Sequence, residues 1–320
     1  MIDSTTPRGR FAPSPSGRMH LGNVWAGLVA WLSMKAQGGD MVLRVEDLDP
    51  QRSKQEWTDL IIDDLKWLGL TWTEGPDLGG DHGPYNQDQR RDLYEGYLRD
   101  LEQKDLVYPC FCTRKELRAA SAPHREDGLL VYGGTCRELT EDQVVEKALG
   151  RPPAKRLLVP DRTICFDDLH FGRVCQNLAQ DVGDFMVQRS DGVHAYQLAV
   201  TVDDGLMGIT EVVRGEDLLD STPRQIYLME QMGFEVPTYG HIPLILGDDG
   251  NRLSKRHKAM DLGYLRDQGW RPEDIMGLLG WKSGLISRRE ALSAKDLIEE
   301  FQWAKLSGKT IVLSDEDLNL

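Results

Sequence analysis

Arg10-Phe-Ala-Pro-Ser-Pro-Ser-Gly-Arg-Met-His20-Leu-Gly-Asn23 is a loop of proline, serine and glycine that runs directly into an apolar helix. Such a join presents backbone N–H groups and the positive end of a helix dipole to whatever docks there, and both favour phosphate. A surface turn has the same residue types, so what surrounds the loop decides its meaning. Leu21, Val24, Trp25, Leu28, Val29 and Leu32 recur at helical spacing, and Gly38-Gly39 ends the run. Met41-Val-Leu-Arg-Val45 then has the composition of a buried strand, with Glu46-Asp47-Leu-Asp49-Pro50 at its end. Strand, helix and strand in that order begin a parallel sheet.

The pattern continues. Ser53 with Glu56 forms a capping-box pattern ahead of a helix carrying Trp57, Leu60, Ile61, Leu65 and Leu68, and a further helix is expected from Asp88 to Lys104 with Leu93, Tyr94, Tyr97, Leu98 and Leu101 inward. From Tyr108 to Arg189 the periodicity loosens around Cys110-Phe-Cys112, a polar segment from Ala119 to Gly128 and Arg151-Pro-Pro153, which reads as an insertion. The apolar run Ala195–Val202, ending in Asp203-Asp204, resumes the α/β pattern, and Val212-Val213-Arg214 reads as another strand. Thr222-Pro-Arg-Gln225 reads as a helix start with Thr222 as cap, and Ile242 to Leu246 as a strand. The expected architecture is α/β, a doubly wound parallel sheet of Rossmann-like type whose ligands bind at the carboxyl ends of strands. Its parts would be a first half of the nucleotide-binding core at 1–107, the insertion at 108–189, a second half at 190–260 and a helical C-terminal segment at 261–320.

With 320 residues, a net charge of −14 and no apolar run long enough to cross a bilayer, the chain reads as a cytoplasmic globular protein without a secretion signal. The acidity argues against broad nucleic-acid affinity but leaves room for one RNA held on a local basic patch. Five cysteines, an odd number, read as metal ligands plus two spare thiols, with Cys165 and Cys175 as small buried hydrophobes.

Two loops far apart in sequence have the chemistry of phosphate contacts. His20 can donate to a phosphate oxygen, Gly22 permits close approach, and Lys255 in Arg252-Leu-Ser-Lys255-Arg256 can neutralise charge that develops during displacement. Together they point to ATP and adenylate formation. His20-Leu-Gly-Asn23 resembles the HIGH signature, and Arg252-Leu-Ser254-Lys255-Arg256 the KMSKS signature, of class I aminoacyl-tRNA synthetases. Arg10 to Gly17, Arg44-Val-Glu46-Asp47, Tyr196-Gln-Leu-Ala-Val200 with Asp203-Asp204, and Ser221-Thr-Pro-Arg-Gln225 resemble the glutamyl branch, and Glu216 to Gln225 its glutamyl-queuosine tRNA(Asp) synthetases, which lack an anticodon-binding domain.

The resemblance implies glutamate contacts at Arg10, Phe11, Ala12, Pro13, Ser14, Glu46, Tyr196 and Arg214. It implies ATP contacts at Gly17, His20, Gly22, Asn23, Ser254 and Lys255, with His20 and Lys255 catalytic and Mg2+ arriving with ATP. Charge alone supports the first set: glutamate needs an anion for its ammonium and cations for its carboxylates, which Glu46, Arg10 and Arg214 provide. Asp203 and Asp204 read as structural. The resemblance further implies one structural zinc held by Cys110, Cys112, Tyr132 and Cys136, with His124 the alternative fourth ligand. The partners implied are ATP, L-glutamate and tRNA(Asp) containing queuosine, with the protein a monomer and no membrane involved. A truncated glutamyl-tRNA synthetase charging tRNA(Glu), favoured by Lys255-Arg256-His257, and an inactive RNA-binding module are the alternatives.

Overall fold

The computed structural model describes residues 6–113, 116, 131–253 and 258–318. β1 (Arg8–Phe11) leads into α1 (Leu21–Ala36), followed by β2 (Asp40–Leu43), α2 (Gln55–Trp67) and α3 (Arg91–Gln103). Next come β3 (Val107–Cys110), α4 (Glu141–Gly150), β4 (Ala154–Leu157), β5 (Thr163–Asp168), β6 (Gly172–Asn177) and β7 (Phe185–Gln188). α5 (Tyr196–Leu206), β8 (Glu211–Gly215), α6 (Thr222–Met232) and β9 (Thr238–Ile242) return to the centre, and β10 (Ile245–Gly247), α7 (Leu262–Asp267), α8 (Pro272–Ser283), α9 (Asp296–Glu300) and β11 (Ile311–Leu313) follow.

The central sheet runs β2-β1-β8-β9 with every pair parallel. Alternation of side chains divides its strands between two cores. Met41, Leu43 and Val213 join one cluster with α1, α7 and α8, while Val42, Val212 and Tyr239 join the other with α3, α5 and α6. Full burial of side chains such as Leu28, Leu32 and Leu278 contributes about 1.5–3 kcal/mol each and fixes α1 across the sheet, where it packs on β1, β8, β10 and α9. The C-terminal ends of all four strands, Phe11, Leu43, Gly215 and Ile242, therefore open on one edge.

Several local expectations are corrected. Ala195–Val202 is not a strand: α5 spans Tyr196–Leu206. Its Leu198, Ala199, Val200 and Val202 are all buried, so it is apolar nearly all round and carries no period to tell it from a buried strand. The Ser53–Glu56 box is not formed; Lys54 is the N-cap of α2 and makes no side-chain cap. The helix expected from Asp88 begins as a 3-10 turn at Gln87–Arg90, and Leu93 is 40% exposed. Thr222 is the first residue of α6 rather than its cap. The strand expected at Ile242–Leu246 is split, β9 ending at Ile242 and β10 beginning at Ile245. The C-terminal segment is not all helical, because β11 pairs in parallel with β10. It packs closely on itself: a Cβ on Gly277 would lie 1.7 Å from the Glu290 carbonyl oxygen, so only glycine fits.

Between the two halves of the central sheet, β3, β4 and β7 form an antiparallel sheet and β5 and β6 a separate hairpin. Cys165 and Cys175 are neither spare thiols nor buried. They stand directly opposite in the hairpin, are exposed, and form a disulfide. The composition-based expectation fails because sequence spacing of 10 says nothing about which cysteines face each other across a turn. Among the described residues no helix is long and apolar enough to cross a membrane.

Candidate active site

The sheet edge carries two adjoining cavities. The larger, about 460 Å³, is lined by Arg10, Phe11, Ala12, Pro13, Ser14, Glu46, Tyr196 and Arg214, all eight residues to which sequence assigns glutamate. The other, about 420 Å³, is lined by His20, Gly22 and Asn23 together with residues 242–245, Arg252 and Leu253. Asn23, Ala26, Gly215 and Asp217 line both. Gly17 lies in a smaller adjoining hollow with Ser14, Ser16, His20 and Asn23. Ser254 and Lys255 lie outside the described residues, but Arg252 just before them pairs with Asp217 at 2.6 Å.

The opening loop ends in a cap. His20 holds extended backbone angles, its Nδ1 accepts from Gly22 N at 3.1 Å, and Asn23 Oδ1 accepts from His20 N at 3.1 Å. An imidazole whose Nδ1 is an acceptor carries its proton on Nε2 when neutral, so the remaining ring nitrogen is a donor. Gly22 also leaves this cap its space, because a Cβ there would stand 3.0 Å from the His20 ring.

Charge in the larger cavity is set from behind. Arg44, fully buried, donates from Nη1 to Asp204 Oδ1 at 2.7 Å and from Nη2 to Glu46 Oε1 at 3.5 Å, and its Nε lies 3.5 Å from Asp203 Oδ2. Arg90, Gln87 and Tyr94 complete the shell of Asp203 at 2.6, 2.8 and 3.0 Å. Arg10 donates to Asp204 at 3.3 Å and to the Val213 carbonyl at 3.1 Å. Asp203 and Asp204 thus pair with three buried arginines, Arg10, Arg44 and Arg90, and Glu46 adds the third negative charge. Burial raises the Glu46 carboxyl above the usual range against the pull of Arg44 and Arg10, with Asp204 and Asp203 adding to the rise. Burial likewise raises the Tyr196 phenol, which remains a donor at neutral pH.

Arg214 is held differently. Its Nε donates to His241 Nε2 at 3.1 Å, Nη1 to Gln225 Oε1 at 2.7 Å, and Nη2 to Thr222 Oγ1 at 2.8 Å and to the Leu218 carbonyl at 3.4 Å. All four acceptors are neutral, so the guanidinium is oriented without being neutralised. Sequence reading missed His241, Thr222 and Gln225 as partners of Arg214, and Asp168 behind His241. Arg44 was visible only as part of a motif.

In the insertion, Cys110, Cys112 and Cys136 have their sulfurs within 4.8 Å of one another and can hold a metal. Cys112 Sγ is 3.6 Å from Cys136 Sγ, and Tyr132 Oη is 3.5 Å from Cys110 Sγ and 3.7 Å from Cys112 Sγ. A tetrahedron with metal–sulfur distances of about 2.3 Å has edges of about 3.8 Å, so the spacing fits. Cys136 N donates to Tyr132 Oη at 2.9 Å and Arg156 Nε to Cys110 Sγ at 3.2 Å, both favouring the ionised ligand. His124 lies outside the described residues.

Residues 7–320 match the family model of class I tRNA synthetases (E and Q), catalytic domain. A Glutamyl-Q tRNA(Asp) synthetase of Symbiobacterium thermophilum is 47% identical over 317 residues, 97% of each chain. The chain belongs to this family of class I synthetases, in its glutamyl-Q tRNA(Asp) group. A Glutamate--tRNA ligase of the same organism is 41% identical over 327 residues, covering 98% of this chain and 66% of that one. Among solved structures, the glutamate tRNA ligase of Elizabethkingia meningosepticum in complex with its amino acid superposes with a TM-score of 0.82 at 31% identity, covering 98% of this chain and 68% of that one.

Proposed function

We propose that the protein activates L-glutamate with ATP and transfers the glutamyl group to the queuosine base in the anticodon of tRNA(Asp). The observation that carries the first step is the pairing of Arg214, oriented but not neutralised, with Glu46 across one cavity that adjoins the His20 helix terminus. An anion and a cation so arranged complement an amino acid with an acidic side chain. The glutamate α-carboxylate attacks the α-phosphate of ATP, pyrophosphate leaves, and a hydroxyl of the RNA then attacks the adenylate carbonyl and releases AMP. No side-chain nucleophile is needed; positioning and charge stabilisation suffice. His20 and Lys255 serve the phosphates, Gly17, Gly22, Asn23 and Ser254 complete the ATP contacts, and Mg2+ comes with ATP on phosphate oxygens.

The acceptor rests on relatives rather than on the cavity. In one organism, the glutamyl-Q enzyme is more similar to this chain than the glutamate ligase is, 47% against 41%. Three thiolates and a phenol oxygen in the insertion support a structural zinc. The tRNA substrate supports a cytoplasmic setting.

The test is labelled glutamate offered with tRNA(Asp) containing queuosine, the same tRNA lacking it, and tRNA(Glu). Labelling of the first alone is expected. Charging of tRNA(Glu) alone would establish the ordinary ligase instead, the reading favoured by the 41% relative. Absence of glutamate-dependent ATP–pyrophosphate exchange with and without tRNA would remove the enzyme reading.

A further inference from the structure

We propose that Asp168 and His241 are positioning residues for the amino acid. Asp168 fixes the His241 imidazole with its proton on Nδ1, so that the Nε2 lone pair holds Arg214 facing the cavity. The inference rests on the reading of that cavity as a glutamate site.

Arg214 and His241 are register partners in the parallel strands β8 and β9, which places their side chains on the same face. A guanidinium can only donate, so His241 Nε2, 3.1 Å from Arg214 Nε, is the acceptor. The neutral ring then carries its proton on Nδ1, and Asp168 Oδ2 stands 2.6 Å from that atom. Thr222 Oγ1, which receives Arg214 Nη2, is 3.2 Å from the same Nε2. Asp168 and His241 are 5% and 0% exposed. Burial lowers the pKa of His241, Asp168 opposes this and Arg214 reinforces it, and the ring stays neutral.

Asp168 does not belong to the central sheet. It ends β5 at the tip of the β5–β6 hairpin, where its Oδ1 accepts from His170 N at 3.0 Å and Phe171 N at 2.9 Å, and Leu169 N donates to the Tyr239 carbonyl at 2.9 Å. The hairpin tip is thereby docked on β9, and one carboxylate serves the turn through Oδ1, the imidazole through Oδ2 and the His241 backbone N–H through both, at 3.2 and 3.1 Å. The opposite tautomer would aim Nε2–H at Arg214 Nε–H, two donors face to face beside a buried cation, and the guanidinium would have to turn. A carboxylate that selects a histidine tautomer is familiar from catalytic triads, where the amide replacement preserves geometry and loses the correct ring form.

Asp168→Asn separates the imidazole contact from the other roles of the carboxylate. The amide oxygen can still accept from the turn and from the His241 backbone N–H, while its NH2 faces Nδ1 and drives the ring proton to Nε2. In ATP–pyrophosphate exchange measured with and without tRNA, KM for glutamate is expected to rise about tenfold or more, with KM for ATP unchanged and kcat less affected. Imidazole 15N shifts should show His241 protonated at Nδ1 in the wild type and at Nε2 in the variant. His241→Gln, which can offer an acceptor oxygen to Arg214, should retain more glutamate affinity than His241→Leu; this pair and the wild-type tautomer decide if Asp168→Asn does not fold. A wild-type ring protonated at Nε2, a folded Asp168→Asn with unchanged KM for glutamate, or equal KM in the two His241 variants would overturn the inference alone. A wild type with no glutamate-dependent exchange would overturn the glutamate reading and the inference with it.

Discussion

Arg10 and Arg214 face one cavity, yet Arg10 lies 3.3 Å from the buried Asp204 carboxylate and Arg214 meets only neutral acceptors. Arg214 therefore offers a ligand more of its charge. Arg214→Gln is expected to raise KM for glutamate by about tenfold or more, and more than Arg10→Gln does. Steady-state exchange kinetics on the two variants checks the order, and the reverse order would contradict the charge argument.

Glu46 has to be ionised to hold an ammonium group. Its carboxyl is raised by burial, so it takes up a proton at a higher pH than an ordinary glutamate. The value of kcat/KM for glutamate should fall as pH is lowered through that raised pKa, while an ordinary carboxyl would delay the fall to more acid pH. Glu46→Gln should lower kcat/KM and flatten this acid limb. A limb that survives the substitution would assign it to another group.

Arg44 is the hub of the buried charge cluster, within 3.5 Å of Glu46 and Asp203 and 2.7 Å of Asp204. Arg44→Met leaves those carboxylates undercompensated in the core and should cost about 3–5 kcal/mol. Urea unfolding measures this, and a loss below about 1 kcal/mol, the range of a surface pair, would show that Arg90 and Arg10 suffice.

Cys110→Ser should lower bound zinc from one per chain toward none, read by atomic absorption, and loosen the β3–β4–β7 sheet to proteolysis, because a structural metal contributes folding energy directly. Unchanged metal content would exclude Cys110 as a ligand.

The disulfide predicts a thiol count. With five cysteines in the chain and Cys165 joined to Cys175, the chelated protein unfolded without reductant should titrate three thiols. Five would show the hairpin reduced.

Much of the fold and half of the site were legible because their signals are local. The Pro-Ser-Gly loop before a periodic helix, the short apolar run before Glu46 and the strand before Arg214 each declare a strand end within a dozen residues, and strand ends are where a parallel sheet collects its ligands. Ala195–Val202 was misread because burial on all sides erases periodicity. Thr222 had the sequence of a cap, but Arg214 was a stronger partner for its hydroxyl than the helix N–H groups. Asp168 and His241 were invisible for a different reason. Their roles depend on which strands lie side by side and on where an inserted hairpin docks, and neither is written in spacing along the chain.

The lining of Asn23, Ala26, Gly215 and Asp217 common to the two cavities has a consequence for inhibition. A single molecule with an amino dicarboxylate head and a nucleoside tail, joined by a short uncharged linker, would occupy both at once. Its second half would bind at the high effective concentration set by the first, so its affinity should far exceed that of either fragment. A linker too long or too bent to follow that shared lining would forfeit the gain, making the span from one cavity to the other the dimension to which such a compound has to be cut.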